Sequence, residues 1–209
     1  MAVDPPPEID LIKILSRKGS QKLVFLATWR KTLQEVVLKQ IIAKGESAER
    51  IFSRELQPHP LNMVHPNIIE THFLRNSKGE RFLVERRLDT VLDDEWDAQG
   101  IHEASNFLFD ITKALKFLND HRLVHGDVKP DNIGKRGGSY VLLDFGICRD
   151  RQDFSGETTP TGSLRTRAPE LLLKNEYSEP EKVDVWALGA TVYKAVTKRF
   201  TSLKWRLRY

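Results

Sequence analysis

The chain has 209 residues, of which 40% are hydrophobic and 30% are charged, so it can bury a core and is not typical of a disordered protein. Its 33 Lys and Arg residues against 29 Asp and Glu residues leave a net charge of +4, which does not by itself predict a nucleic-acid-binding protein. The single cysteine, Cys148, excludes an internal disulfide and a zinc site built from cysteines, and no apolar run approaches the roughly 20 residues of a membrane helix. We therefore expect a soluble, cytoplasmic protein.

The first 84 residues are predicted to contain mostly strands. Short runs rich in β-branched and aliphatic residues, separated by Gly, Ser, Lys and Thr, are typical of strands. They lie at residues 11–15, 23–29, 35–42 and 82–85. One helix is predicted between the third and fourth runs, from residue 46 to residue 57, because Pro58 and Pro60 cannot continue it.

The predicted helix carries an acidic residue on the side that should be buried. Its apolar stripe comprises Ala48, Ile51, Phe52 and Leu56, and Glu55 falls in the same stripe at helical spacing. A buried carboxylate requires a cation, so we expect Glu55 to have a basic partner.

The chain becomes helical after residue 90. Residues 103–119 and 183–197 are predicted to form helices, with a short hairpin near residues 136–139 between them. The apolar residues at helical spacing are Phe107, Leu108, Ile111, Leu115 and Leu118 in the first helix, and Trp186, Gly189, Val192, Tyr193 and Val196 in the second. Strands followed by helices favour an α+β fold with two lobes.

Three motifs in the second half of the chain carry the chemistry. They are the run from His125 to Asn132 (HGDVKPDN), the Asp-Phe-Gly triplet at 144–146 and the Ala-Pro-Glu triplet at 168–170. Each is weak alone, but in this order and at these intervals the sequence resembles the eukaryotic-type protein kinases. The resemblance covers about residues 8–200.

The resemblance implies a bilobal protein-kinase-like fold. Residues 1–84 would form a strand-rich N-lobe with one helix, and residues 85–92 the hinge. Residues 93–209 would form a mainly helical C-lobe that lacks the family's C-terminal helices G to I.

The resemblance also implies roles for four residues of the second half. Asp127 matches the catalytic aspartate that accepts the proton of the substrate hydroxyl, and Lys129 matches the lysine that neutralises the γ-phosphate. Asn132 and Asp144 match the two ligands of Mg²⁺, and oxygen ligands of this kind suit a hard cation. Phosphoryl transfer depends mainly on positioning and charge stabilisation, which is what such a set supplies.

The family's ATP site implies a further set in the first half. Lys39 matches the third-strand lysine that binds the α- and β-phosphates, and Glu55 is then its expected ion-pair partner. Val84 is expected at the gatekeeper position before the hinge, where a small side chain leaves a back pocket open. The remaining residues expected to contact the nucleotide are Leu15, Gly19, Val24, Val37, Glu85 and Arg87.

The sequence departs from the family pattern at two loops. Arg17 and Lys22 stand at two of the three positions of the glycine-rich loop, where only Gly19 remains, and both are interpreted as solvated. Gly126 replaces the arginine that usually receives a phosphorylated activation loop, so we expect activity without that phosphorylation.

The expected substrate is a protein with a serine or threonine acceptor. Lys129 followed by Pro130 is the serine/threonine form of the catalytic loop, and Ser163 falls where such kinases have their P+1 threonine. Two other functions stay open: a small-molecule kinase of the aminoglycoside or choline type, which Gly126 fits better, and a pseudokinase scaffold.

The end of the chain is basic. Residues 194–209 contain six basic residues and no acidic one. This segment is interpreted either as a membrane or partner contact, or as a helical segment whose apolar side would meet further helices, and the second interpretation is favoured.

Overall fold

A computed structural model of the chain describes two compact units. Unit 1 comprises Met1–Val64 and Ile69–Arg87, and unit 2 comprises His65–Ile68 and Leu88–Tyr209. The described residues are 3–16, 21–43, 45–56, 64–155, 162–173 and 179–199.

Within the described residues, unit 1 contains a five-stranded antiparallel sheet and one helix. The elements are β1 (Ile9–Ser16), β2 (Lys22–Trp29), β3 (Gln34–Ile41), α1 (Glu46–Leu56), β4 (Thr71–Arg75) and β5 (Arg81–Arg86), and the strand order is β1-β2-β3-β5-β4. The α+β class and the strand-rich first part are thereby confirmed.

The two faces of this sheet bury different sets of side chains, because successive residues of a strand point to opposite faces. One face forms a core from Ile9, Phe25, Ala27, Val36, Leu38, Phe82 and Val84. On the other face, Ile41 and Leu83 pack against Ala48 and Ile51 of α1. The helix therefore covers the sheet where β3 ends.

Two details of unit 1 differ from the sequence prediction. Leu56 was placed in the buried stripe of α1, but it is the last helical residue and is 39% exposed. Strand β4 was not predicted, since the segment at 71–75 mixes Thr, His and Arg with only two apolar residues.

Unit 2 contains most of the helices. Its elements are β6 (Thr90–Val91), α2 (Ile101–Asp120), β7 (Leu123–Val124), β8 (Ile133–Arg136), β9 (Ser139–Leu142), β10 (Arg149–Asp150), α3 (Arg151–Ser155), α4 (Pro169–Leu173) and α5 (Lys182–Thr197). Strands β6, β8 and β9 form one small sheet, and β7 pairs with β10. The predicted hairpin is the β8–β9 pair.

The two long helices differ in how well their apolar spacing predicted the buried side. In α2, Phe107, Ile111 and Leu118 are buried as expected, and Leu108 is exposed. In α5 the predicted side is largely exposed, Trp186, Tyr193 and Val196 included. The buried side of α5 consists of Val183, Asp184, Ala187, Leu188, Ala190, Thr191, Lys194 and Ala195.

Polar groups lie on the buried side of α5 because they have partners. The ammonium of Lys194 donates to the carbonyl oxygen of Trp96 at 2.6 Å and lies 3.3 Å from Oδ1 of Asp97. Lys194 therefore belongs to the interior of unit 2 and is not available for the less favoured alternative, a contact of the basic segment with a membrane or partner. Residues 200–209 of that segment lie outside the described residues. No helix in the described part of the chain is long and apolar enough to cross a membrane.

Candidate active site

In unit 1, the strand register fixes which residues share a face with Lys39. Lys39 lies opposite Val24 of β2 and Leu83 of β5. Two residues earlier on β3, Val37 lies opposite Glu85. Directly opposed residues of antiparallel strands point to the same face, so Lys39, Val37 and Glu85 share it.

Glu85 is the partner that the structure gives to Lys39 on this face. The Lys39 ammonium lies 2.6 Å from Oε1 of Glu85, and the two side chains are only 12% and 4% exposed. The contact lacks the angles of a hydrogen bond and is a close ion pair. Glu85 is therefore a buried counterion within β5.

This register does not agree with the placement of Val84 beside the nucleotide. Val84 lies opposite Leu38, on the face that forms the sheet core, and it is fully buried there. A shift of one residue along a strand moves a side chain to the opposite face. The position on the Lys39 face is held by Glu85, and it carries a carboxylate instead of a small apolar group.

Glu55 is fully buried, as the helical spacing predicted. Its Oε1 forms an ion pair with the ammonium of Lys22, whose side chain is 11% exposed. The interpretation of Lys22 as a solvated turn residue is therefore wrong. Lys39 was the expected partner of Glu55; Lys22 is a further cation that the prediction did not include, and the pair of Glu55 with Lys39 stays a prediction.

The position of Lys22 on β2 explains its contact with α1. Lys22 lies opposite Ile41, and Ile41 packs against the helix that carries Glu55. Lys39 lies two residues further from that end of β3. Lys22 therefore lies in a cross-strand row that contacts the helix.

The other residues expected to contact the nucleotide lie in varied environments. Val24 and Val37 are half-buried on the Lys39 face of the sheet. Leu15, near the end of β1, is exposed, and Arg87 is exposed and forms an ion pair with Glu35. Gly19 lies outside the described residues.

In unit 2, Asp184 of α5 anchors the loop that carries Asp127. The carboxylate of Asp184 accepts the backbone N–H groups of His125 and Gly126 at 2.7 and 2.8 Å. Burial raises the pKa of the Asp184 carboxyl, and the two backbone hydrogen bonds act against this effect. Two backbone donors to one side chain fix the path of the loop just before Asp127.

His125 provides a second anchor for the same loop. Its Nδ1 accepts the backbone N–H of Asp127 at 3.2 Å, which places the ring proton on Nε2, and Nε2 lies 3.0 Å from the carbonyl oxygen of Leu143. The ring packs edge-on against Phe145 at 5.1 Å, so it also connects the loop to the Asp-Phe-Gly triplet.

Two glycines allow the catalytic loop and the segment before Ser163 to approach closely. Gly126 has φ 81° and Gly162 has φ 79°, both in the region that favours glycine. A Cβ atom on Gly162 would collide with the carbonyl oxygen of Gly126. This approach brings Ser163 to the carboxylate of Asp127.

The carboxylate of Asp127 accepts hydrogen bonds from three other residues. Its Oδ1 accepts from both the backbone N–H and the hydroxyl of Ser163, each at 2.8 Å. Its Oδ2 lies 2.8 Å from the ammonium of Lys129 and 3.0 Å from Nδ2 of Asn132. Lys129 also donates to the Ser163 hydroxyl at 2.8 Å. Asp127, Lys129, Asn132 and Ser163 therefore form one connected cluster.

The cluster keeps Asp127 ionised. Burial pushes the pKa of Asp127 up, but the hydrogen bonds and charge of Lys129, together with the Ser163 hydrogen bond, outweigh burial and lower the pKa below its ordinary value. At neutral pH the group is therefore a carboxylate that can accept a proton.

Asn132 and Asp144 are held next to each other by the backbone. The backbone N–H of Leu143, the residue before Asp144, donates to the carbonyl oxygen of Asn132 at 2.9 Å. Asn132 uses its amide nitrogen for both bonds to Asp127, at 2.8 and 3.0 Å. Its amide oxygen and the Asp144 carboxylate are the kind of donor that fits Mg²⁺. Among the described residues no three His, Cys, Asp or Glu side chains are grouped so as to hold a metal.

A cavity of about 290 Å³ lies beside this cluster in unit 2. Lys129 and Ser163 line it together with residues of both charges. Across it, Nη1 of Arg165 lies 2.6 Å from Oδ2 of Asp94. The cavity places charged side chains directly next to the Asp127 cluster.

Sequence reasoning missed two ion pairs of unit 1, the pair of Lys22 with Glu55 and the pair of Lys39 with Glu85. A signal for Glu85 was present, because this acidic residue directly follows three apolar strand residues, Phe82, Leu83 and Val84. Applying the buried-carboxylate argument to the strand as well as to the helix would have predicted a cation for Glu85.

Comparison with known proteins agrees with these motifs. The sequence pattern of the protein kinase domain matches residues 17–204. The carbon catabolite-derepressing protein kinase of Saccharomyces cerevisiae is 31% identical over 186 residues, which cover 87% of this chain and 29% of the relative.

Two further relatives also match this chain. An Aurora kinase of Candida glabrata is 34% identical over 142 residues, covering 65% of this chain and 39% of the relative. The SNF-related serine/threonine-protein kinase of Rattus norvegicus is 29% identical over 204 residues, covering 90% of this chain and 26% of the relative. The chain thus spans well under half the length of these relatives.

Proposed function

Because this chain belongs to the protein kinase family, we propose that it transfers the γ-phosphoryl group of ATP to a serine or threonine hydroxyl of a protein. The observation that carries this proposal is the Asp127 carboxylate, ionised and held by Lys129, Asn132 and Ser163. In this proposal residues 1–84 are the N-lobe, 85–92 the hinge and 93–209 the C-lobe.

Asp127 is the proton acceptor and Lys129 the cation at the transferred group. Asp127 accepts the proton of the substrate hydroxyl while the hydroxyl oxygen bonds to the γ-phosphorus and ADP leaves. Asp127 is ionised at neutral pH, as a proton acceptor must be before the step. Lys129, 2.8 Å from Asp127, places a positive charge beside the reacting hydroxyl.

Asn132 and Asp144 are the proposed ligands of Mg²⁺, and Lys39 is the proposed ligand of the α- and β-phosphates. Bound Mg²⁺ would neutralise charge on the phosphates. Glu55 is the proposed ion-pair partner of Lys39. Leu15, Gly19, Val24, Val37, Glu85 and Arg87 complete the proposed nucleotide contacts.

The proposed acceptor is serine or threonine in a protein substrate. Ser163 supports this assignment because its hydroxyl bonds both Lys129 and Asp127, in the position that serine/threonine kinases use beside the acceptor. The cavity next to this cluster, lined by Asp94 and Arg165, gives a surface on which a peptide could rest.

We also propose that activity does not depend on activation-loop phosphorylation. Gly126 offers no cation to a phosphorylated residue, and its backbone N–H is committed to Asp184. Phosphatase treatment is expected to leave the rate unchanged. A large loss of rate that rephosphorylation reverses would contradict this proposal.

One assay tests the proposed function against its alternatives. The chain is incubated with labelled ATP and Mg²⁺, with generic protein acceptors and with small alcohols, beside the Asp127→Asn and Asp144→Ala variants. We expect label on serine or threonine that is lost in both variants. Label only on a small alcohol would establish a small-molecule kinase, and no transfer by the folded chain would indicate a scaffold.

A further inference from the structure

The sheet face that carries the core of unit 1 also borders a cavity of about 920 Å³. Its floor is formed by three neighbouring strands, with Ile14 of β1, Leu23 and Phe25 of β2, and Gln40 of β3. All residues that line the cavity belong to unit 1. A cavity of this size accommodates a small organic molecule, and such sites combine an apolar surface with a few polar groups.

The walls of the cavity are formed by the β4–β5 turn and by the segment before β1. Asn76 is buried, and its Oδ1 accepts the backbone N–H groups of Lys78 and Glu80 at 3.0 and 2.9 Å. Its Nδ2 donates to the carbonyl oxygen of Asp4 at 2.7 Å, and the Lys78 ammonium lies 3.1 Å from Oδ2 of Asp4. Val3, the next residue of that segment, packs against the core. Contacts within the protein therefore hold both walls in place, so the cavity is preformed.

Gln40 is a polar residue of the floor that lies among apolar neighbours. It is paired with Leu23 of β2 and with Phe82 of β5, so its side chain shares the face of those two residues. Gln40 is only 7% exposed, and its amide has no hydrogen-bond partner among the described residues. Neither polar atom of this amide is fully enclosed by protein, so the amide faces the cavity.

The packing of the sheet does not explain why a glutamine occupies this position. A buried amide without a partner destabilises a fold, because it loses its hydrogen bonds to water and gains none in return. A methionine of similar length would fill the position of Gln40 without that cost. A bound molecule that supplies the missing acceptor and donor does explain the residue.

We propose that this cavity binds an uncharged, largely apolar small molecule that carries an amide group. The apolar part of the molecule lies on Ile14, Leu23 and Phe25. Its amide exchanges two hydrogen bonds with the Gln40 amide, because each amide offers a donor beside an acceptor.

The charged residues of the lining explain why the molecule needs no charge. Each of them already has a partner within the protein. The pairs are Asp4 with Lys78, Glu80 with the amide of Asn76, and Arg81 with Glu49. The site is also independent of the proposed kinase function, since none of its lining residues belongs to the proposed nucleotide contacts.

The binding of two matched probes to the whole chain tests the role of the Gln40 amide. Naphthamide is an uncharged aromatic amide, and acetonaphthone keeps its carbonyl acceptor but lacks the N–H donor. NMR titration measures both dissociation constants. We expect the parent to bind naphthamide about 5-fold or more tightly than acetonaphthone, and Gln40→Met to bind both equally.

Gln34→Met is the matched control, because Gln34 is an exposed glutamine on the same strand and the same face. This variant is expected to keep the preference of the parent for naphthamide. Equal affinities of the two probes in the parent would overturn the proposal. The same preference in Gln40→Met as in the parent would also overturn it.

A second pair of variants tests whether the probe lies in this cavity. Ile14→Trp places a large side chain on the apolar floor from an exposed position, so it should weaken naphthamide binding about 10-fold or more. Ile12→Trp changes another exposed isoleucine of β1, outside the cavity lining, and should leave binding unchanged. Binding that Ile14→Trp does not weaken takes place elsewhere and would contradict the proposal.

Thermal unfolding without any probe tests whether the Gln40 amide lacks a partner in the protein. Gln40→Met and Gln40→Leu are expected to raise the unfolding midpoint by about 3 °C, because they replace a buried unpaired amide by an apolar side chain. Gln34→Met should leave the midpoint unchanged. If both Gln40 variants unfold below the parent, the amide stabilises the fold itself and the proposal is wrong.

Discussion

The carboxylates of the two units are held in different ways. In unit 2, Asp184 and Asp127 accept backbone N–H groups from the loop at 125–126 and from Ser163. In unit 1, Glu55 and Glu85 are paired with the ammonium groups of long lysine side chains. A backbone donor cannot move without moving the chain, whereas a lysine side chain can reach a different carboxylate.

This difference shows in which cases a sequence motif predicts the positions of side chains. When a carboxylate is bound by backbone N–H groups, the donors lie in the motif itself or in an element that packs against it. The motif therefore determines the positions of the carboxylate and its donors together. An ion pair between strands and helices depends on register and on the reach of two side chains. Substitutions in unit 2 should therefore show losses that no second substitution repairs.

The largest effect is expected at the centre of the unit 2 cluster. Asp127→Asn keeps the size of the side chain but removes the proton acceptor, so kcat should fall by about 10³-fold. The measurement is the steady-state rate of phosphoryl transfer at saturating ATP. The thermal midpoint serves as the control for folding, and a folded variant with more than a tenth of the parent rate would contradict the assignment of Asp127.

The next largest effect is expected for the buried anchor of the loop. Asp184→Asn replaces one of two acceptor oxygens by an amide NH₂ group that faces a backbone N–H, so the free energy of unfolding should fall by about 3 kcal/mol. Urea unfolding measures this loss. Asp153→Asn on the exposed surface of α3 is the matched control, and equal stability of both variants would mean that the anchor does not hold the loop.

A smaller effect is expected where close packing alone fixes unit 2. A Cβ atom on Gly134 of β8 would collide with the side chain of Leu88 and lie 2.9 Å from the carbonyl oxygen of Thr90. Gly134→Ala should therefore lower the free energy of unfolding by about 2 kcal/mol, while Gly189→Ala offers a glycine with open space and without a positive φ as comparison. Equal losses in both variants would show that the close contacts of Gly134 do not matter.

The smallest effect is expected at a side-chain network in unit 2 that resembles the pairs of unit 1. Glu103 accepts from Tyr140, Lys135 and the backbone N–H of Gln99, and the Gln99 and Tyr140 hydrogen bonds are the main causes that lower its pKa to about 2. A carboxylate with a lowered pKa stabilises the fold fully above its unfolded pKa of 4.5 and loses this contribution as the pH falls towards 2.

Glu103→Gln should remove that pH dependence. Since Glu103 is partly exposed, the difference between the variant and the parent should be about 1 kcal/mol at pH 7 and should vanish near pH 2. Unfolding by urea at several pH values measures it. A difference that grows as the pH falls would contradict the lowered pKa.

The sequence predicted unit 2 better than unit 1 for a physical reason. The motif residues Asp127, Lys129 and Asn132 lie within six positions, so local backbone geometry brings them together once the loop is anchored. The exposed side of α5 was mistaken for its buried side because Asp184, Thr191 and Lys194 are polar residues with buried partners. Apolar spacing alone does not identify such buried polar residues.

In unit 1, helical spacing correctly predicted that Glu55 is buried, but it did not identify which lysine binds it. That choice depends on the pairing of Lys22 with Ile41, and no local pattern encodes cross-strand register. Val84 and Glu85 are neighbours in the sequence, but this register places their side chains on opposite faces of the sheet. Long-range pairing therefore limited the prediction.

The binding of ATP in the presence and absence of Mg²⁺ tests most directly the proposed nucleotide-binding roles of Lys39 and Asp144. Calorimetric titration of the parent, Lys39→Met and Asp144→Ala would measure the dissociation constants. We expect Mg²⁺ to strengthen ATP binding about 10-fold or more in the parent and in Lys39→Met, which binds more weakly under both conditions, and to have no effect in Asp144→Ala. Equal affinities in all three proteins, with and without Mg²⁺, would contradict the account.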